Sequence, residues 1–295
     1  SAKQPRVLAK ALDTFEDSGD IVRDFGAAAR EFSHSAFVQL VEPSEARKAS
    51  ILAAMERFMG YPYWDYFRDG GTEVIGIQRA SFLSVRLLFA REVLEGQLDP
   101  DFDKRLLGAI AEKGCLPCYR TVYDMDHPET VKGWDFDEDH AGFYDITMER
   151  WPIILGANNL RVVPTGALGL GALALQGHDP RAEEWLDRAV SSAIRFLGLV
   201  SPDGSYFEGL SYLGYCLRTF LPFMDAHRRL VGDVGWLSKA NFNGMLDYTV
   251  TMQLGKTADG EPDIVNFSDA NRSVFPGGLS LIGHYTGTPL GAWAA

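Results

Sequence analysis

Apolar residues recur at helical spacing along most of this chain. Between residues 43 and 60, the positions Ile51, Leu52, Met55, Phe58 and Met59 fall on one face of a helix. The same period follows Asp99-Pro100 and Asp179-Pro180, and it continues through the segments 79–95, 141–155, 208–230 and 236–254. The alternation that is typical of strands is scarce before residue 260. The pattern predicts an all-α protein with at least eight helices.

Capping residues and glycines divide these helices. Asp99 and Asp179 each precede a proline, which is typical of a helix start, and Gly114 and Gly198 are the expected ends. Because the turns are short, consecutive helices are expected to be antiparallel hairpins, stacked as a solenoid or closed into an (α/α) toroid. We expect one domain over residues 1–295, with 255–295 as the stretch where a following region would begin.

Charge and hydropathy exclude two classes of partner. Forty Asp and Glu against 28 Lys and Arg give a net charge of −12, which is unfavourable for nucleic-acid binding. The longest apolar runs, such as 166–175, are too short for a membrane span, so no membrane insertion is expected. Three cysteines cannot form a disulfide framework.

Several familiar motifs fail on context. Gly169, Gly171 and Ala174 have dinucleotide-binding spacing, but Pro164 lies where a central strand would run, so close helix packing is the better interpretation. Cys115 and Cys118 are expected to be packed thiols, with a disulfide as the alternative. The acidic stretch 121–140 lacks the ligand spacing of a calcium loop and is expected to be solvated surface. No cofactor and no metal are expected in this chain, and a metal ion in a following region is left open.

Two segments carry unusual polar content in helical context. The first runs from Trp151 through Asn158 and Asn159 to Arg161. The second runs from the Pro202-Asp-Gly turn to Tyr215, and its candidate functional residues are Tyr206, Glu208, Tyr212 and Tyr215. Glu208 and Tyr212 are four residues apart and are expected to share a helix face, so that Glu208 orients the tyrosine.

These segments resemble a known family. The pattern P-D-G-S-Y-x-E-G-x-x-Y-x-x-Y at 202–215, preceded by W-x(6)-N-N at 151–159 and followed by F-S-D-A at 267–270, is similar to the heparinase II/III-like polysaccharide lyases, a group that includes alginate and oligo-alginate lyases. The resemblance implies an (α/α) toroid followed by β-sheet domains, which would be absent or only begun here. It also implies a periplasmic or secreted enzyme that cleaves an acidic, uronic-acid-containing polysaccharide or oligosaccharide by β-elimination. The residues themselves leave a cytoplasmic location open.

The resemblance also implies residue roles. Asn158 or Asn159 would contact the uronate carboxylate, and Tyr212 would be the catalytic tyrosine. The family places a histidine or an aromatic residue after the Asn pair, whereas this chain has Leu160, so Tyr212 is predicted to serve as both base and acid. The predicted substrate-binding residues are Trp151, Arg161, Tyr206, Glu208, Tyr215 and Arg218. A second catalytic histidine is implied from the β domain, so activity is expected of a full-length parent rather than of this chain alone.

Two other functions remain open from the residues. A glycoside hydrolase on a similar toroid would use paired acids such as Glu208, Asp203 and the acids of 124–139. A glycan-binding or scaffold protein would bind without turnover. A chain of this charge needs a local basic groove to hold a polyanion. Arginines are therefore expected at the Asn158–Tyr212 cleft, and the candidates are Arg161, Arg79, Arg218 and Arg272.

Overall fold

Helices dominate the structure. The computed structural model describes residues 21–140, 148, 150–256, 258, 260, 262–265, 267, 271 and 273–291. Over these residues the chain is mostly helical with a few short strands, so the all-α prediction is confirmed. The α-helices are α1 (Ile21–Val41), α2 (Glu45–Gly60), α3 (Arg79–Val93), α4 (Pro100–Ala109), α5 (Leu116–Asp126), α6 (Trp151–Leu155), α7 (Asn159–Ala174), α8 (Ala182–Leu197), α9 (Leu210–Leu230), α10 (Phe242–Thr251) and α11 (Pro276–Thr286). Residues 141–147, part of a predicted helix, lie outside the described residues.

Helix starts follow the predicted capping chemistry in part. The Asp99 carboxylate accepts hydrogen bonds from the amides of Asp101 and Phe102, and α4 begins at Pro100 as expected. Asp179 instead accepts from the amide and guanidinium of Arg181, and α8 begins only at Ala182. The side chain of Asp179 is therefore used to hold Arg181 rather than to cap the helix.

Gly114 does not end a helix, contrary to expectation. The chain continues from α4 through a π-helical turn, Ile110–Cys115, directly into α5. A Cβ at Gly114 would overlap the Oγ of Ser84 on α3, so this glycine permits close packing of two elements rather than chain termination.

Three helices run parallel to one another. Gly166 and Gly169 of α7 lie against Thr219 and Phe223 of α9, so ascending positions on one helix meet ascending positions on the other. The ring of Phe82 on α3 contacts that of Tyr215 on α9. Further along, Arg86 and Arg218 of these two helices interact electrostatically, again in ascending order. The N-termini of α3, α7 and α9 therefore lie at the same end of the protein.

The neighbouring helices run in the opposite direction. Thr165 of α7 meets Ser192 of α8 at 2.7 Å, while Arg161, one turn earlier, shares Asp126 with Arg195, which lies later on α8. Helix α5 is likewise antiparallel to α7, because its start at Cys115 faces Gly171 and its end at Asp126 faces Arg161. The small residues of α7 allow these contacts, which confirms the close-packing interpretation.

A small antiparallel sheet was not predicted. Strands β1 (Phe67–Asp69), β2 (Glu73–Ile75) and β3 (Trp134–Phe136) pair in the order β2-β1-β3. A two-stranded hairpin of β4 (Gln253–Lys256) and β5 (Pro262–Ile264) follows α10. Each strand has only three or four residues, too few for alternation to be visible against the helical pattern. The first sheet builds a second apolar cluster around Tyr66, Phe67 and Phe136.

Three acids of the stretch 121–140 are buried, so the expectation of solvated surface is wrong for them. Asp124 is buried and accepts a hydrogen bond from the indole N–H of Trp134 at 3.3 Å, and Asp137 pairs with Arg68 at 3.3 Å. Asp126 has a side chain only 3% exposed and binds several arginines. Buried polar partners, which are distant in sequence, keep these carboxylates inside.

The cysteines are packed thiols. Cys115, Cys118 and Cys216 are free and buried, and the Sγ of Cys118 lies 3.3 Å from the Oγ of Ser81. Burial raises the pKa of Cys118 to about 12, so its thiol is unreactive at neutral pH. In the part of the chain that the structure describes, no helix is both long and apolar enough to cross a membrane.

Candidate functional site

The Asn pair and the tyrosine motif meet at the N-terminal end of α7. The backbone N–H of Asn159 donates to Oε2 of Glu208 at 2.7 Å, and its side-chain Nδ2 donates to Oε1 at 2.8 Å. Both carboxylate oxygens of Glu208 therefore accept hydrogen bonds from Asn159, and this two-point contact fixes the orientation of the Asn159 side chain. Two segments separated by 49 residues in sequence are joined by this contact.

Asn158 is the cap of α7. Its Oδ1 accepts the amide N–H of Leu160 at 2.9 Å, and its backbone is extended. Among the described residues its side-chain Nδ2 has no hydrogen-bond partner, and the residue is half-buried. Asn158 thus presents two amide protons at a helix N-terminus, where the helix dipole also favours a negative group.

Tyr206 holds Glu208 in position through a hydrogen bond. Its hydroxyl donates to Oε2 of Glu208 at 2.7 Å, and its ring is 2% exposed. Burial, together with Cys216 and Glu208, raises the pKa of Tyr206 well above its usual range. The phenol therefore stays protonated and donates. A buried residue of this kind positions Glu208 rather than contacting a ligand in the solvent.

Glu208 is not on a helix. Helix α9 begins at Leu210, and Gly209 precedes it with φ of 93°, a conformation that favours glycine. The expectation that Glu208 and Tyr212 share a helix face is therefore wrong. The turn at Gly209 directs Glu208 toward Asn159 while Tyr212 projects from the first turn of α9.

Tyr212 and Tyr215 follow on the first turns of α9. Both are half-buried, and the Tyr212 ring packs against the main apolar core. The Tyr215 ring meets Phe82 edge to face, with 5.3 Å between centroids. Burial raises the pKa of Tyr215, Cys216 and Asp65 raise it further, and Arg79 and Arg218 lower it. Tyr215 is therefore a neutral phenol beside two arginines.

Arg161 has structural partners instead of an open position. Sequence reasoning places it at the substrate, but its guanidinium is buried and binds Asp126 at 2.6 Å, Ser192 at 3.1 Å and the carbonyl of Gly156 at 2.6 Å. Arg188 and Arg195 also bind the same carboxylate, at 3.1 and 2.7 Å. We call Asp126, Arg161, Arg188 and Arg195 the Asp126 cluster. Its bond to Gly156 holds the turn that leads into Asn158.

A second group of arginines lies along α3 and α9. Arg79 and Arg86 of α3, Arg218 of α9 and Arg30 of α1 form what we call the open arginine cluster. In the described part of the chain none of the four has a carboxylate within 4 Å, and the buried Nε of Arg79 has no hydrogen-bond partner. Arg79 and Arg218 were expected near the cleft, whereas Arg30 and Arg86 were missed.

Sequence spacing contains a signal for the missed residues. Arg79, Phe82 and Arg86 are spaced i, i+3, i+7, which is one helix face, and they face Tyr215 and Arg218. The apolar pattern predicts a helix over 79–95 but does not identify a charged face on it. No sequence pattern indicates Arg30, because it lies on α1 and comes near Arg86 only through packing.

The remaining predicted residues are peripheral or outside the description. Trp151, at the start of α6, is half-buried and lies 6.1 Å from Phe67 in the second apolar cluster. Leu160 packs on the same cluster. Phe267 is 43% exposed. Residues 268–270 and Arg272 lie outside the described residues.

A buried histidine, His140, lies in the 3-10 turn that follows strand β3. The Nδ1 of His140 is hydrogen bonded to Asp137, and its ring is 5.1 Å from that of Tyr66. The guanidinium of Arg79 lies over the Tyr66 ring at 5.2 Å. Among the described residues there is no group of three or more His, Cys, Asp or Glu that could hold a metal ion.

No protein-family model matches the chain, and no curated protein matches it. Function is therefore inferred from the residues and their geometry. The Asn pair, Glu208, Tyr212 and Tyr215 lie at the end of the protein where α7 and α9 begin, and Arg79 lies at the start of α3.

Proposed function

We propose that this protein is a polysaccharide lyase that cleaves a uronic-acid-containing polysaccharide by β-elimination. The observation that carries the proposal is the two-point hydrogen bond between Glu208 and Asn159, because it brings the Asn pair to the tyrosine motif. Arg79 and Arg218 lie beside Tyr215 and have no acidic partner among the described residues, which adds a reason for an acidic substrate in a chain of net charge −12.

We further propose an (α/α) toroid for the helical region. Its support is the alternation of direction: α3, α7 and α9 run one way, and α5 and α8 run the other. In such an arrangement the like-directed helices would form an inner layer, and their N-termini would open on one face. A site at that face rests on rigid elements, as acid–base chemistry requires.

Elimination makes three demands that these residues can meet. The uronate carboxylate must be neutralised so that its C5 proton becomes acidic, and the Asn158 amide is placed to donate to it. A base must then remove that proton, and an acid must protonate the departing O4. Tyr212 is proposed for the proton transfers. Glu208 and Tyr206 act through Asn159 as positioning residues.

The geometry fits hydrolysis less well. The two oxygens of Glu208 already accept three hydrogen bonds, two from Asn159 and one from Tyr206. Asp203 is exposed and accepts two bonds from Ser205, which lower its pKa, so it suits the role of a proton donor poorly. Asp126, Asp124 and Asp137 are held by the partners described above.

The test is a substrate panel of alginate, heparan, hyaluronan and pectin. Elimination creates an unsaturated sugar end that absorbs ultraviolet light, and hydrolysis does not. The chain is assayed beside any longer form that carries the β region implied by the resemblance. Tyr212→Phe should lower turnover at least about 100-fold, because an acid–base group is lost.

Matched tyrosine variants make the result specific. Tyr215→Phe and Tyr206→Phe should cost much less, and Tyr119→Phe, on α5 beside Glu184, should have no effect. A collapse in Tyr215→Phe with normal turnover in Tyr212→Phe would show that the wrong tyrosine is assigned. New reducing ends without ultraviolet absorbance would identify a hydrolase, and binding without turnover would identify a glycan-binding protein.

A further inference from the structure

No carboxylate among the described residues pairs with the arginines of the open arginine cluster. Arg86 is partly buried, and burial together with Arg30 and Arg218 lowers its pKa to about 10. Like charges held together in a partly desolvated position destabilise the folded state unless an opposite charge joins them. The protein has many acids, 40 in total, yet none in the described part of the chain approaches these arginines within 4 Å.

Other arginines of this protein are treated differently. Arg91 forms a two-point pair with Asp103, and Arg105 forms one with Glu56. Arg181 binds Asp179 and Glu112, and Arg229 binds Asp225. Paired arginines are thus common on this chain, whereas the four arginines of the open arginine cluster have no carboxylate within 4 Å among the described residues.

Aromatic rings flank the arginines. The Arg86 guanidinium lies 5.8 Å from the Phe82 ring, and that of Arg218 lies 5.7 Å from Phe275. Phe82 in turn contacts Tyr215. Flat apolar faces next to guanidinium groups suit a ligand that has both C–H surface and negative groups, as an acidic sugar does.

We propose that Arg30, Arg86 and Arg218 form an anion-binding subsite that takes a carboxylate or sulfate group of an acidic oligosaccharide. Arg218 is six residues beyond Tyr212 on α9, roughly 9 Å along the helix axis, so the subsite lies beyond the Asn158–Tyr212 site instead of within it. The identity of the ligand as a glycan rests on the proposed function, whereas the preference for a negative group rests on the arginines.

The test measures binding rather than turnover. The wild-type chain is titrated calorimetrically with an alginate tetramer, a heparin tetrasaccharide and neutral cellotetraose, and with inorganic sulfate alone. Both acidic oligosaccharides, or one of them, should bind, and cellotetraose should bind at least about tenfold more weakly. The alginate and heparin arms distinguish carboxylate from sulfate recognition. Affinity should fall as salt is raised from about 50 to 300 mM.

Single substitutions assign the effect to the cluster. Arg86→Gln and Arg218→Gln should each weaken binding of the acidic oligosaccharide about tenfold or more, because each removes a charge-assisted hydrogen bond. Arg229→Gln is the matched control: this exposed arginine lies on the same helix, eleven residues further on, and is paired with Asp225. It should bind as the wild type does. Arg218 is exposed, so its variant tests the proposal even if Arg86→Gln folds poorly.

Several outcomes would overturn the subsite. These are equal affinity for neutral and acidic oligosaccharides, unchanged affinity in both variants, or sulfate alone binding as tightly as the oligosaccharides. The result is separable from the lyase proposal. Loss of binding in Arg86→Gln without turnover on any polymer keeps the subsite and removes the lyase, while normal binding in both variants with Tyr212-dependent turnover does the reverse.

Discussion

The two arginine clusters of this protein contrast in what surrounds them. In the Asp126 cluster, three arginines from α7 and α8 converge on one carboxylate that is 3% exposed, and each guanidinium nitrogen of Arg161 donates a hydrogen bond. In the open arginine cluster, Arg79, Arg86 and Arg218 lie near Tyr215 and Arg30 lies near Arg86, with no carboxylate of the described residues within 4 Å.

The contrast separates two uses of the same side chain. A buried carboxylate with several guanidinium partners joins α5, α7 and α8, and it fixes the turn before Asn158 through the carbonyl of Gly156. Arginines that lack such a partner contribute no comparable cross-link and retain donors for a ligand. Residue type and even expected location were similar for Arg161 and Arg218, so only their partners distinguish positioning from binding.

The largest expected effect on stability comes from the Asp126 cluster. Asp126→Asn keeps the shape of the side chain but leaves three arginines without their counter-charge. We expect the free energy of unfolding to fall by about 3–5 kcal/mol, because breaking a buried ion pair leaves uncompensated charge inside. Chemical denaturation monitored by circular dichroism measures this.

Asp103→Asn supplies the control for that measurement. Its partner Arg91 and Asp103 itself are each 24% exposed, so water replaces the lost charge, and we expect a change of about 1 kcal/mol. Equal losses in the Asp126 and Asp103 variants would mean that the Asp126 cluster is an ordinary surface pair in energetic terms.

A pH profile tests whether Asp65 belongs to the open arginine cluster. Asp65 is fully buried and accepts the amides of Gln78, Arg79 and Ala80 at the start of α3. Burial raises its pKa from 3.8 to about 6, although those hydrogen bonds and Arg79 lower it. A carboxylate that served as the counter-ion of the arginines would have a depressed pKa instead.

The sign of the pH dependence follows from that shift. The folded state holds the Asp65 proton more tightly, so its contribution to stability is complete below about pH 4 and is lost as the pH rises to about 6. The loss is up to about 3 kcal/mol. Asp65→Asn should remove this slope, whatever constant offset it introduces, and unfolding profiles between pH 4 and 7 measure it. Parallel profiles, or a wild type that gains stability with rising pH relative to the variant, would contradict the assignment.

The smallest expected effect on stability comes from the open arginine cluster, and it has the opposite sign. Arg86→Gln removes a charge that burial and its neighbours disfavour, so the free energy of unfolding should stay unchanged or rise by about 1 kcal/mol. Thermal unfolding in chloride buffer checks this. Added sulfate should stabilise the wild type more than the variant, since a ligand of the folded state stabilises it by mass action. A loss of more than about 2 kcal/mol would show that Arg86 supports the fold.

Local rules were sufficient for most of the helices. The apolar period and the Asp99 cap located α2, α3, α4 and α9 within a few residues, because those signals lie within one or two turns. The contact between the 150s and the tyrosine motif was expected from the resemblance and is present as the Asn159–Glu208 bond. The catalytic roles of Asn158 and Tyr212 remain predictions.

The errors arose where distant residues decide the outcome. Gly114 reads locally as a helix end, but Ser84 of another helix determines why it is a glycine. Asp126 reads as surface, but arginines 35 to 69 residues away bury it. Arg161 is placed beside the Asn pair by sequence, yet its side chain turns to Asp126. In each case the missing information is a tertiary partner.

The close packing of α7 has a consequence for how the site tolerates change. A Cβ at Gly166 would come within 2.5 Å of the Thr219 backbone carbonyl, so the separation of α7 and α9 is set by a hydrogen atom midway along both helices. Gly166 is seven residues from Asn159, roughly 10 Å along the axis. A small displacement of α7 relative to α9 at Gly166 would therefore also shift the Asn159–Glu208 contact. The geometry of the site therefore depends on a glycine that contacts no ligand and carries no polar side chain.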